Sequence, residues 1–467
     1  MVEEQILRGD LGAVGEEALT EFVEGRRWFG SKAQEIAGVR VLDSAVLRTQ
    51  VPLLAAAIAE VRFGAGTHEL YQLLLGFRPS EEGREEDVVT ELDGWIAYEG
   101  LNDAQLAREL VHMMRGETTV QAGEGTVEFR SVDFGGFGTD ISEPRPVGVE
   151  QSNTSVVFGD ELILKAYRRI EPGINPELEL LRFLTEIQFP HIAPLVGWYA
   201  YSGQLIDATL GVLQEFLPGS RDGWDLALAE IASDPEGFLA RLRRLGEVTG
   251  ELHSALASEA GDPDFCPEEP SAEALALLTA TVDEEIEQLF LDLDSEDETL
   301  AHLLAAAGDR RERLRLISHA GAVGRVIRTH GDYHLGQVLW TGEDWVVLDF
   351  EGEPARPLAE RRNKRSPLRD VAGMLRSFAY AASAAELTTG TAPPAGWEER
   401  AREEFLAGYW DLVDRTIVPS GADGRQKLLT VFELEKAVYE LRYELNNRPD
   451  WVRIPVAGIV RLLESES

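Results

Sequence analysis

Asp332, Gln337 and Asp349 are the residues whose types and spacing can do chemistry. The first two lie five positions apart in His330-Gly331-Asp332-Tyr333-His334-Leu335-Gly336-Gln337, and Asp349 closes the apolar run Trp345-Val346-Val347-Leu348. Phosphoryl transfer from ATP asks for such a set. One carboxylate orients the attacking hydroxyl and takes its proton, while a carboxylate and an amide oxygen hold the magnesium that bridges the phosphates. Kinase catalytic loops keep the base and the metal-binding amide at this spacing, with a second metal aspartate one hairpin later. Here Gln337 stands where that pattern has Asn. Singly, each would be a turn residue, a surface amide or a strand-end cap; in order, around an apolar strand, they point to a kinase with Asp332 as base and Gln337 and Asp349 as metal ligands.

A nucleotide grip must then lie upstream. Leu162-Ile163-Leu164-Lys165 ends an apolar strand on a lysine, where kinases keep the lysine of the α- and β-phosphates. Asn175-Pro176 opens a helix carrying Glu177 and Glu179, and Glu179 is the expected partner of Lys165. No glycine-rich loop precedes this strand. The small polar run Gln151-Ser152-Asn153-Thr154-Ser155 takes its place, with Ser152 and Thr154 expected over the phosphates. Downstream, Leu213-Gln214-Glu215-Phe216-Leu217-Pro218-Gly219 reads as a hinge whose backbone at Gln214, Glu215 and Phe216 meets the adenine edge.

Near the C-terminus, Glu440 and Glu444 are four apart and share a helix face, followed by Asn447 and Trp451. Carboxylates, an amide and an indole suit a sugar, whose hydroxyls need acceptors and whose C–H face stacks on a ring. His334, beside the base, joins this acceptor set. A solvated helix face ending at Pro449 is the plainer alternative.

Around these residues the chain divides into 1–145, a small α+β cap; 146–219, a β-rich lobe with Lys165 and the hinge; and 220–467, a helical lobe. The class expected is α+β. Helical spacing is read over Leu106 to Met114, Trp224 to Ala232, Pro235 to Ala257, Ser271 to Leu291, Glu298 to Ile317 and Gln426 to Tyr443. Gly246 and Gly250 are expected to allow close helix packing, His253 to be a buried structural histidine, and Asp370 to cap a helix or hold the catalytic loop. The basic run from Arg356 to Arg369 either screens phosphate charge or neutralises nearby carboxylates.

Composition sets the limits. A length of 467 residues implies two or three domains, and 44% hydrophobic with 27% charged residues is a globular balance. A formal net charge of −39 excludes a nucleic-acid or anionic-membrane footprint. No apolar run has the length of a membrane span and no signal-like segment opens the chain, so a cytoplasmic protein is expected. The single cysteine, Cys266, rules out a disulfide framework.

The segments from Val149 to Leu180 and Thr329 to Phe378, with Glu435-Lys436-Ala437-Val438-Tyr439-Glu440 and Asn447-Arg448-Pro449-Asp450-Trp451, resemble the bacterial maltokinases. They resemble the actinobacterial glucosamine kinases more distantly, and both groups belong with the aminoglycoside-phosphotransferase-like kinases. The likeness includes Arg27-Trp28-Phe29-Gly30 in the cap. It implies a protein-kinase-like, bilobal fold with an N-terminal cap, ATP and Mg2+ as cofactors, and a glucose-configured sugar as acceptor. Maltose, giving maltose 1-phosphate, comes first; glucosamine, giving glucosamine 6-phosphate, is the alternative. An aminoglycoside phosphotransferase and a silent ATP-binding protein stand further off.

Overall fold

The computed structural model describes residues 2–464 apart from 84–85, 133–134, 136–140, 148–151, 259–261, 272, 274–275, 277–279, 281–283, 285–323, 355 and 391, with backbone alone for 387–389, 446–447 and 463–464. The two helices expected between Ser271 and Ile317 fall mainly outside the described residues. Two compact units are present: Met1–Glu186 with Ala193–Pro218, and Ile187–Ile192 with Gly219–Ser467.

The first unit holds two antiparallel sheets. Strands β1 (Ile36–Arg48), β2 (Leu53–Phe63), β3 (His68–Pro79), β4 (Val88–Leu92) and β5 (Trp95–Glu99) pair in the order β1-β2-β3-β5-β4. The centre of β2 is buried on both faces. Leu53, Ala55, Ala57, Ala59 and Val61 pack with Phe22, Trp28 and Phe29, while Leu54, Ala56 and Ile58 pack with Leu106, Leu110 and Phe129. Burial on both sides erases the apolar–polar alternation of a half-exposed strand, and small alanines let both layers close on it.

The second sheet runs β6-β7-β12-β13-β10-β9-β8, from β6 (Thr119–Gln121), β7 (Gly125–Ser131), β8 (Pro144–Val147), β9 (Asn153–Phe158), β10 (Leu162–Tyr167), β12 (Leu195–Gly203) and β13 (Asp207–Glu215). Residues 119–131, assigned to the cap on sequence, thus hydrogen-bond into the sheet of the segment that follows. A two-residue strand, β11 (Arg169–Ile170), continues β10 and pairs with β3, so one stretch of chain belongs to both sheets. The Pro176–Glu186 helix follows, its start fixed by the Asn175 side chain, which accepts from Glu177 N at 2.9 Å.

The second unit is mainly helical, with a small sheet of β14 (Arg221–Asp222), β15 (Val338–Trp340) and β16 (Trp345–Val347). Its long helices are Pro235–Leu256, Leu368–Thr389, Trp397–Leu412 and Ala422–Asn447. The Pro235–Leu256 and Trp397–Leu412 helices meet backbone to backbone: Gly246 faces the Phe405 carbonyl, Gly250 the Tyr409 carbonyl and Gly408 the Arg243 carbonyl. This is the close packing that the two glycines of the first helix imply. No described helix is long and apolar enough to cross a membrane.

A methyl group at Gly408 would run into the Arg243 carbonyl, a backbone atom that cannot rotate away. Gly408→Ala is expected to lower stability by about 1–3 kcal/mol despite the better helix propensity of alanine; thermal unfolding measures this.

Candidate active site

In the second unit the loop 328–337 is shaped by one buried side chain. Asp370, 2% exposed at the start of the Leu368–Thr389 helix, accepts His330 N at 2.8 Å and Gly331 N at 3.0 Å. His253 Nε2 lies 3.2 Å from the same carboxylate, and Tyr409 OH lies 3.0 Å from His253 Nδ1. Burial pushes the Asp370 carboxyl up, but His253, His330 and the backbone donors outweigh it and hold it below its ordinary value. The helix comes this close because Gly373 has no side chain; a Cβ there would stand 2.6 Å from the Tyr333 carbonyl oxygen. Asp370 and His253 are therefore loop supports.

His330 then links the Asp332 turn to the strand that leads to Asp349. Its Nδ1 accepts from Asp332 N at 3.3 Å, and its Nε2–H donates to the Leu348 carbonyl at 2.7 Å, one residue before Asp349. Asp349 has φ +59°, a left-handed backbone that is uncommon for non-glycine residues. Gln337 Nε2 donates to Asp349 Oδ2 at 3.1 Å. Turning that amide over exchanges its nitrogen for its oxygen, and two hard oxygen donors would then face one point. That donor chemistry fits Mg2+, which takes one or two protein oxygens and keeps its other positions for phosphates and water.

Asp332 is half-buried, and Lys436 Nζ, from the Ala422–Asn447 helix, lies 3.1 Å from its Oδ1. Burial pushes the Asp332 carboxyl up; Lys436, through its charge and its hydrogen bond, leads the groups that outweigh burial and hold the carboxyl below the usual carboxylate range. Burial likewise would lower Lys436, yet Asp332, Glu353 and Glu440 keep it above its ordinary value. His334 uses Nδ1 to accept Gly336 N at 3.1 Å, which leaves Nε2 toward Asp332 at 3.9 Å. Burial holds this imidazole below its ordinary pKa, so it faces Asp332 as a neutral N–H donor.

Asp332 and Lys436 line a pocket of about 60 Å³ with Glu353, Arg356, Arg369 and Tyr439 among its other walls. Charges alternate around it: Arg356 meets Glu353 at 2.6 Å, and both Arg356 and Arg369 meet Glu435, at 3.6 and 2.8 Å. Two arginines of the basic run, Arg356 and Arg369, are thus engaged with carboxylates, while Arg361 and Arg365 donate to the Glu351 and Glu360 carbonyls. Sequence reasoning gave Lys436 no part; its four-residue spacing from Glu440 was the available signal.

The acceptor candidates carry partners of their own. Glu440 Oε2 receives Nε and NH2 of the buried Arg376 at 3.0 and 2.7 Å. Glu444, almost wholly buried, receives Arg448 at 2.9 and 2.7 Å and the Tyr380 hydroxyl at 3.2 Å. Both were expected to be open to ligand hydroxyls; each already faces a guanidinium, as a buried carboxylate in a helical core requires. Trp451 stacks on Tyr380 with ring centres 6.3 Å apart. The side chain of Asn447 lies outside the described residues.

In the first unit Lys165 pairs with Glu177 at 3.0 Å. The expected partner was Glu179, but the helix turns the buried Glu177 toward the strand and leaves Glu179 half-buried. Tyr167 OH donates to the same Glu177 oxygen at 2.6 Å. Ser152 is exposed at the strand entry, next to residues 148–151, which are not among the described ones. Thr154, expected over phosphates, instead accepts Arg168 Nε at 2.7 Å. At the expected hinge, Glu215 N donates to Pro194 O at 3.1 Å, Phe216 N to Glu161 O at 2.8 Å, and the Gln214 side chain to Ala193 O at 3.0 Å. These bonds extend the sheet beyond its strand ends and occupy the Glu215 and Phe216 N–H groups, so the expected adenine contact of 214–216 is not made through those two donors as they stand.

Residues 143–405 match the family model described as phosphotransferase enzyme family, and residues 22–103 match the maltokinase N-terminal cap domain. The chain belongs to the phosphotransferase enzyme family. A glucosamine kinase of Mycolicibacterium smegmatis is 31% identical over 337 residues, covering 68% of this chain and 79% of that protein. One from Streptacidiphilus jiangxiensis is 26% identical over 345 residues, covering 69% and 74%. Among solved structures, a glucosamine kinase in complex with glucosamine, ADP and inorganic phosphate has a TM-score of 0.68 at 21% identity, over 95% of this chain and 98% of that one. A second crystal form gives 0.70 at 20% identity, over 95% and 99%. The phosphotransferase therefore has the protein-kinase-like fold of the aminoglycoside-phosphotransferase type.

Replacing Lys436 by Met removes the cation that depresses Asp332. The carboxyl then regains a proton at higher pH, so the acid limb of the kcat/KM profile is expected to move to higher pH, with the plateau reached only in more alkaline buffer. A pH–rate series on Lys436→Met and wild type reads this.

Proposed function

We propose that this phosphotransferase is an ATP- and magnesium-dependent sugar kinase of the maltokinase type, converting maltose and ATP into maltose 1-phosphate and ADP. The observation that carries the reading is the Asp332 carboxylate, held by Lys436 at 3.1 Å in a polar pocket, on the same short loop as Gln337, which pairs with Asp349. In this reading Asp332 accepts the proton of the sugar hydroxyl as the new P–O bond forms. His334, neutral, donates to the sugar or to Asp332 and fixes its orientation. Lys165, oriented by Glu177, holds the nucleotide phosphates. Magnesium, when bound by Gln337 and Asp349, supplies charge neutralisation on the phosphates.

A neutral acceptor is supported by the charges beside the pocket. The carboxylates that would greet the ammonium of glucosamine, Glu440 and Glu444, are matched by Arg376 and Arg448, and Lys436 adds a cation next to Asp332. The cap-domain match also points to the maltokinase type. Glucosamine stands as the second reading, because the curated relatives described above are glucosamine kinases.

A panel of maltose, glucosamine, glucose and kanamycin, followed through ADP release, decides the acceptor. Maltose is expected to give the highest kcat/KM, and a chelator is expected to abolish turnover until Mg2+ is restored. A preference for glucosamine of tenfold or more would overturn the maltose assignment.

A further inference from the structure

The family assignment leaves the cap without a task, and the contacts within the first unit supply one. Lys165 lies on β10, and the same extended stretch runs through Tyr167 and Arg168 into β11, which pairs with β3 of the cap sheet through Arg169–Tyr71 and Ile170–Leu70. Arg168 is 1% exposed. Its NH2 meets Glu99 of the cap at 3.0 Å, its Nε donates to Thr154 Oγ1 of β9 at 2.7 Å, and its guanidinium lies over the Trp28 ring at 5.2 Å. One cation therefore bridges the cap and the strand beside Lys165.

Cap residue Gln72 holds the backbone on either side of that cation. Its main-chain N donates to Arg168 O at 2.7 Å, and its side-chain amide donates to Tyr167 O at 2.8 Å and to Leu210 O at 2.9 Å. Tyr167 in turn donates its hydroxyl to Glu177, the carboxylate that pairs with Lys165. Ser155, opposite Lys165, is the residue after Thr154. Every step from Trp28, Gln72 and Glu99 to the Lys165–Glu177 pair is thus a direct contact or a peptide neighbour, on strands about 3.3 Å per residue in length.

We propose that the cap is a positioning element for the nucleotide grip, and that Arg168 is its positioning residue. By clamping Arg168 between Glu99, Trp28 and Thr154, the cap fixes the register of β10 and so the direction of Lys165 against Glu177. Arginine suits the task because its planar fork can bond a carboxylate and a hydroxyl at once while stacking on an indole; a lysine ammonium cannot do all three. The proposal rests on Lys165 being the phosphate-gripping residue, and it predicts an effect on nucleotide and not on sugar.

The test uses full-length Arg168→Met, Glu99→Gln and the double variant, each checked for folding by circular dichroism. Mg-ATP affinity is read by calorimetry and acceptor KM by ADP release. Each single variant is expected to weaken Mg-ATP about tenfold while acceptor KM stays within twofold. The double variant is expected to lose no more than the worse single one, because both break the same clamp. Single variants that bind Mg-ATP within twofold of wild type overturn the proposal, as do losses that simply multiply or that fall equally on the acceptor. If Arg168→Met does not fold, Glu99→Gln, which keeps the shape of the side chain, carries the test alone. Wild-type protein that binds no Mg-ATP would instead overturn the function proposed above.

Discussion

A buried aspartate holds the 328–337 loop of the second unit in place. Asp370 gives its two oxygens to the main-chain N–H groups of His330 and Gly331, and His253 closes the network from a third element. Those donors sit where the chain leaves strand geometry, with Gly331 at φ +87°, so no sheet ladder can satisfy them. Remove the carboxylate and the buried His330 amide loses its partner, a penalty of about 1–3 kcal/mol, while the more exposed Gly331 amide loses its own. His330 is held by that anchor, and through its two ring nitrogens it sets the distance between the Asp332 turn and the strand that ends at Asp349.

Charge is the second organising constraint. With a net −39, carboxylates are abundant, and the interior handles them by matching guanidinia. Arg376 takes Glu440, Arg402 takes Glu433 with two bonds of 2.7 and 2.8 Å, Arg448 takes Glu444, and Arg168 takes Glu99. Such pairs add little net stability, but each partner alone would be costly. They fix the helices of one unit and the sheets of the other in defined registers. Against this background Lys436 differs. It is a compact ammonium set on the proposed base itself, so its effect falls on the protonation of Asp332 as well as on packing.

What the sequence disclosed follows from how local each contact is. The order Asp332, Gln337, Asp349 was readable because a single loop and hairpin carry it. Gly246 and Gly250 announced a close helix crossing because only a missing Cβ allows one. Lys436 stayed hidden because its partner lies 104 residues away in the sequence. Choosing Glu179 over Glu177 was an error of helix phase, settled only by the cap at Asn175. The Thr154 contact with Arg168 was not legible because strand residues alternate between faces, and nothing local reveals that its face holds a buried arginine. At 214–216 the deciding groups are backbone amides, which carry no side-chain signature at all.

The central claim is that Asp332 is the base for phosphoryl transfer, and Asp332→Asn examined in a single turnover tests it most directly. Rapid-quench measurement of the phosphoryl group passing from bound ATP to the preferred sugar of the acceptor panel is expected to show the chemical step slowed about 10²–10⁴-fold, with ATP affinity within a few-fold of wild type. Transfer within a few-fold of the wild-type rate would contradict the account.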